Sequence, residues 1–148
     1  MIRYVHLTFL IALILLTFHG TSLHFVFADD DDVLMINDVL KNVDPGKVTK
    51  AQVKEYYKDV GGKRVKGEGT VINVFPGTQD RQRIAVLASG SDPEKGFNVM
   101  LYVEQETPPD VNKNDQIAFE GKISRLSAYK GALIDVHETA FRKIEAKK

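Results

Sequence analysis

The chain has 148 residues, with twenty Lys plus Arg against twenty Asp plus Glu, and no cysteine. That length has room for one domain with a core, and 43% hydrophobic with 27% charged residues is a globular balance, not a disordered one. The zero net charge excludes a global positive field, so any basic footprint is local, and the lack of cysteine excludes disulfides, thiol chemistry, cysteine-ligated zinc and a lipid on an N-terminal cysteine.

Residues 1–28 differ from the rest. "MIRYVHLTFLIALILLTF" sets Arg3 ahead of an apolar run over 7–18, and "FVFA" places Val26 and Ala28 at the −3 and −1 positions of a cleavage site. This is the pattern of a secretory signal peptide, cleaved after Ala28. The alternative is a retained membrane anchor, for which the run falls short of the ~20 residues a span needs. Cleavage would leave a periplasmic or secreted protein with no stable membrane association. The four aspartates at 29–32 read as a solvated terminus. A calcium loop counted from Asp29 needs Gly sixth and Glu twelfth, and the chain has Leu34 and Leu40 there.

Two short helices are predicted in 29–60. Val33, Ile36, Val39, Leu40 and Val43 have helical spacing over 33–43, and "DPG" breaks the chain after them. Thr49 and Gln52 form a capping box for a second helix. Val53, Tyr56, Tyr57 and Val60 make its apolar stripe, which places both tyrosines in the core rather than on a stacking platform. Gly61 and Gly62 end it.

From residue 61 to 148 the period changes to that of strands. Five are predicted: 64–75, 83–89, 97–104, 116–126 and 132–144. In the third, Phe97, Val99, Leu101 and Val103 alternate with Asn98, Met100 and Tyr102. In the fourth, Ile117, Phe119 and Ile123 point inward. The opening "GGKRVKGEG" is not a phosphate loop. Glu68 and Gly69 stand where Lys and Ser/Thr are required, and a strand follows where a helix should. Gly67, Gly69 and Gly121 suit a strand that bends sharply or lies close to another backbone. The fold class is mostly β: a five-stranded barrel of the oligonucleotide/oligosaccharide-binding (OB) kind after one or two short helices.

The stretches "YYKDVGGKRVKGEGTVINV", "VNKNDQIAFEGKISRL" and "ALIDVHETAF" resemble secreted OB-fold proteins of the anticodon-binding-like (tRNA-anti-like) superfamily, over about residues 50–144. Asn114 stands where that group usually has Gly, and Asn also tolerates a left-handed turn. The resemblance implies a binding module and no reaction.

OB barrels bind through the second and third strands and through the loops joining strands 1–2 and 4–5. Here those elements offer Phe75, Arg81 and Arg83, then Met100 and Tyr102, then Arg125, Tyr129 and Lys130. Aromatic faces with cations are what single-stranded nucleic acid requires, although Asp80, Glu104 and Glu106 dilute the charge. His137, on the same strand face as Asp135, is the one histidine after residue 28. A hydrolytic dyad there lacks a signalled nucleophile and oxyanion site. The expectation is a non-catalytic module for a protein or polyanionic ligand, without cofactor or metal. The alternatives are single-stranded nucleic-acid binding and, less favoured, a hydrolase using His137.

Overall fold

The computed structural model describes residues 33–77, 81–104, 110–129 and 133–145. The expected signal peptide, the aspartates at 29–32 and Lys130 lie outside them. In chain order the elements are β1 (Leu34–Met35), α1 (Ile36–Lys41), α2 (Lys50–Val60), β2 (Arg64–Phe75), β3 (Arg81–Ala88), a 3-10 turn (Pro93–Lys95), β4 (Val99–Glu104), β5 (Gln116–Leu126) and β6 (Ile134–Lys143).

The last five strands close a barrel. Their neighbours run β2-β3-β4-β6-β5, and β5 pairs back onto β2. Every pair is antiparallel except β4–β6. β2 makes closure possible because it serves both halves. Its first part pairs with β5 and its second with β3, and Gly69 pairs with Ile117 on one side and Ala88 on the other. This is the expected mostly β, OB-like barrel with short helices before it.

One element departs from expectation. The helix predicted over 33–43 starts only at Ile36, and Leu34 and Met35 are extended, pairing parallel with Val65 and Lys66. The first residues of β2 pair with β5 on one edge, but β3 does not reach their other edge. Their backbone groups need partners there, and a two-residue strand supplies them. The helix then turns Ile36 and Val39 into the core. A Cβ built on Gly67 would lie 2.3 Å from Ile36 Cγ2, so the isoleucine rests directly on the wall of the barrel. Helix α2 starts with the predicted capping box: Thr49 Oγ1 accepts from the Gln52 N–H at 3.3 Å, and Gln52 Oε1 accepts from the Thr49 N–H at 2.8 Å. It ends as Gly61 N–H donates to the Tyr57 carbonyl at 2.8 Å and Gly62 takes φ +78°. No helix among the described residues is long and apolar enough to cross a membrane.

Alternation fills the interior. Val71, Val86, Val99, Leu101, Phe119 and Ile123 are all buried. Asn98, just before β4, and Met100, on the outward row of β4, are less open than alternation suggests, at only 8% and 9% exposed. Asn98 is held by two connections. Its Oδ1 accepts the Ala88 N–H at 2.9 Å and its Nδ2 donates to Ser91 Oγ at 2.7 Å. Its carbonyl accepts the N–H of Leu133 at 2.9 Å. The asparagine thus joins the β3–β4 and β5–β6 connections.

The turn before β5 uses the left-handed conformation at Asn114, φ +75°. Beside it, the Asn112 N–H donates to Asp115 Oδ2 at 2.8 Å and Lys143 Nζ lies 3.2 Å from the same oxygen. The backbone N–H first, and then Lys143, hold the Asp115 carboxyl below its ordinary value of 3.8. A depressed folded-state value stabilises the fold above the unfolded value, and that stabilisation is lost as pH falls through the folded one. The Asn112 amide proton is therefore expected to titrate in NMR with a midpoint below 3.8. A midpoint at or above that value would contradict the contact.

Candidate functional site

The barrel wall assembles one row of side chains from strands distant in sequence. Cross-strand partners share a face, and Arg83 of β3 is in register with both Phe75 of β2 and Tyr102 of β4. The Arg83 guanidinium lies 5.6 Å from the Phe75 ring centroid, within cation–π range. Tyr102 stacks on His137 of β6, with ring centroids 4.2 Å apart and planes inclined at 33°. Phe75, Arg83, Tyr102 and His137 thus cross four strands as one strip, of which sequence reasoning had singled out the first three. The half-buried His137 had been weighed only as a member of a dyad with Asp135. Its place beside Tyr102 follows from the parallel β4–β6 pairing, which no local pattern announces.

The surrounding charges are largely matched. Arg81 lies 3.7 Å from Glu104, Lys122 lies 2.6 Å from Glu138, and Arg64 pairs with Glu120. Arg125 grips Asp135 with two bonds, Nε to Oδ2 at 2.7 Å and Nη2 to Oδ1 at 3.2 Å. These bonds and the charge of the buried carboxylate raise the Arg125 pKa above its ordinary value. Asp135 therefore serves Arg125 while His137 stacks on Tyr102, so the two are not paired as a dyad. Met100 is in register with Asp135 and Ala85, one position along the wall from Tyr102. Among the described residues no cluster of three His, Asp or Glu side chains could hold a metal ion.

Tyr129 lies elsewhere. Lys50 Nζ of α2 sits 4.4 Å above its ring centroid, and the ring is 57% exposed. The two line a groove of about 270 Å³ between α2 and the end of β5, together with Lys54, Tyr57 and Arg125. The candidate binding residues named from the sequence are therefore divided. Phe75, Arg81, Arg83, Met100 and Tyr102 belong to the strand wall and Tyr129 to the helix groove, while Arg125 touches both through Asp135. Tyr57, placed in the core by its stripe, is 36% exposed and donates its hydroxyl to the Ser124 carbonyl at 2.7 Å. Lys50, Lys54 and Tyr57 were missed, although their i, i+4, i+7 spacing puts them on one helix face. In comparisons with known proteins, no protein-family model and no curated protein matches the chain.

Proposed function

We propose that the protein is a non-catalytic binding module, exported to the periplasm or beyond, that engages a protein partner through the outer face of β3, β4 and β6. The observation that carries this reading is the strip of Phe75, Arg83, Tyr102 and His137. Around it, cations are already matched by carboxylates, so the wall offers aromatic surface with one arginine rather than a strong field. Tyrosine and arginine are the side chains that dominate protein–protein hot spots, where removing one costs about 2 kcal/mol or more.

The test begins with exported protein, whose intact mass should correspond to a chain starting at Asp29. Captured partners are then compared between wild type and Tyr102→Ala. The expected loss of affinity is roughly 30-fold, since about 1.4 kcal/mol is a factor of ten. Unchanged affinity in Tyr102→Ala and Arg83→Ala would remove the strip from the interface. A second reading, single-stranded nucleic-acid binding, draws support from the same ring faces beside Arg83. It predicts oligonucleotide binding that weakens steeply with salt, and absence of binding in low salt ends it.

A further inference from the structure

We propose that the groove between α2 and the end of β5 is a binding site for a phosphate monoester carried on a small ring. The site stands apart from the strand wall, which it meets only through the Arg125–Asp135 pair, and does not rest on the protein partner proposed there.

Three cations converge on this groove: Lys50 and Lys54 from α2, and Arg125 from β5. Among the described residues that line it there is no acid. That contrasts with the barrel wall, where Arg64, Arg81 and Lys122 each face a carboxylate. Arg125 does bind Asp135, but this engages only its Nε and Nη2. A guanidinium has five N–H donors, so three remain, and the buried carboxylate fixes the plane from which they project. Helix α2 has no acid in its first turn and begins with Lys50 itself. A cation at the positive end of a helix dipole is poorly placed unless an anion joins it. Two lysines beside an arginine whose charge Asp135 already offsets suit a dianion better than the single charge of a carboxylate or a sulfate ester. The aromatic lining adds the rest of the ligand. Tyr129 carries Lys50 over its ring and is otherwise open, and Tyr57 is anchored to Ser124 at the groove's side. About 270 Å³ lies just below the usual range for ligand pockets, which suits one ring and one phosphate and not a longer chain.

The experiment uses the chain from Asp29 and measures binding of phenyl phosphate, phenyl sulfate and inorganic phosphate by calorimetry at low ionic strength. Phenyl phosphate is expected to bind most tightly, inorganic phosphate more weakly for want of the ring, and phenyl sulfate more weakly for want of a charge. Lys50→Gln with Lys54→Gln should weaken phenyl phosphate by roughly tenfold or more, because two charge-assisted contacts are lost. Lys113→Gln, an exposed lysine distant in sequence from the groove, should leave it unchanged. Circular dichroism of the double variant establishes that it is folded. Both Lys50 and Lys54 are surface positions, so folding is expected to survive. Failure of phenyl phosphate to bind at millimolar concentration overturns the proposal, as does equal binding by the double variant, or equal binding of the sulfate. Loss of partner capture in Tyr102→Ala has no bearing on these outcomes.

Discussion

Replacing Phe119 by Ala is expected to destabilise the protein by about 3–5 kcal/mol, the range for deleting a buried aromatic. The ring is 1% exposed and stands on β5 in register with Gly67 of β2 and Phe141 of β6. A Cβ on Gly67 would come within 3.1 Å of its Cζ, so the ring reaches across to the glycine on which Ile36 also rests. Phenylalanine, isoleucine and glycine thus form the contact by which α1 seals the barrel. The wall around the vacated space is tied by ladder hydrogen bonds on both edges and cannot collapse inward, so the cavity persists. Against a typical stability of about 5–15 kcal/mol, such a loss is a large fraction. Urea unfolding measures it, and Phe119→Leu should recover part of it. A near-neutral Phe119→Ala would show that the ring does not fill the interior.

Gly69→Ala is expected to be the other severe change, at about 1–3 kcal/mol for overpacking and toward the top of that range. The added Cβ would lie 2.4 Å from the Leu87 carbonyl oxygen, 2.6 Å from Val86 Cγ1 and 3.0 Å from the Ala88 Cα. Two of these are backbone atoms of β3, and they cannot rotate away as a side chain could. Gly69 is also where β2 pairs with β3 and β5 together, so relief on one side strains the other. The thermal midpoint should fall clearly below that of wild type. An unchanged midpoint would mean that the two half-sheets are less tightly joined at this position than the structure has them.

The strands were legible because their signal is local. The alternation of "FNVMLYVE" and "QIAFEGKISRL" needs no knowledge of a partner, and the inward positions it assigns to Val99, Leu101, Phe119 and Ile123 are buried. The Thr49–Gln52 cap was legible for the same reason. β1 was not, since two extended residues have no period, and only the vacant edge of β2 makes them a strand. The candidate site was legible in ingredients and not in arrangement. Phe75, Arg83 and Tyr102 could be named from strand order, but His137 joins them through a pairing between strands far apart in the chain. Tyr57 fits an apolar stripe perfectly well by spacing. Its position at a groove depends on how far α2 stands from β5, a distance set by tertiary packing.

The circular pairing of β2, β3, β4, β6 and β5 gives each of these strands a neighbour on both sides over part of its length. Where both neighbours are present an extended peptide cannot lengthen the sheet, so among the described residues recognition by strand addition, with its sequence-blind main-chain bonding, is confined to stretches beyond the paired part, such as 102–104 of β4 and 137–143 of β6 past the end of their ladder. β1 is the outermost strand of the sheet and has two residues, too few to template a second chain. The same geometry guards against self-association by sheet edges, which other β proteins resist with charged or proline-bearing edge strands.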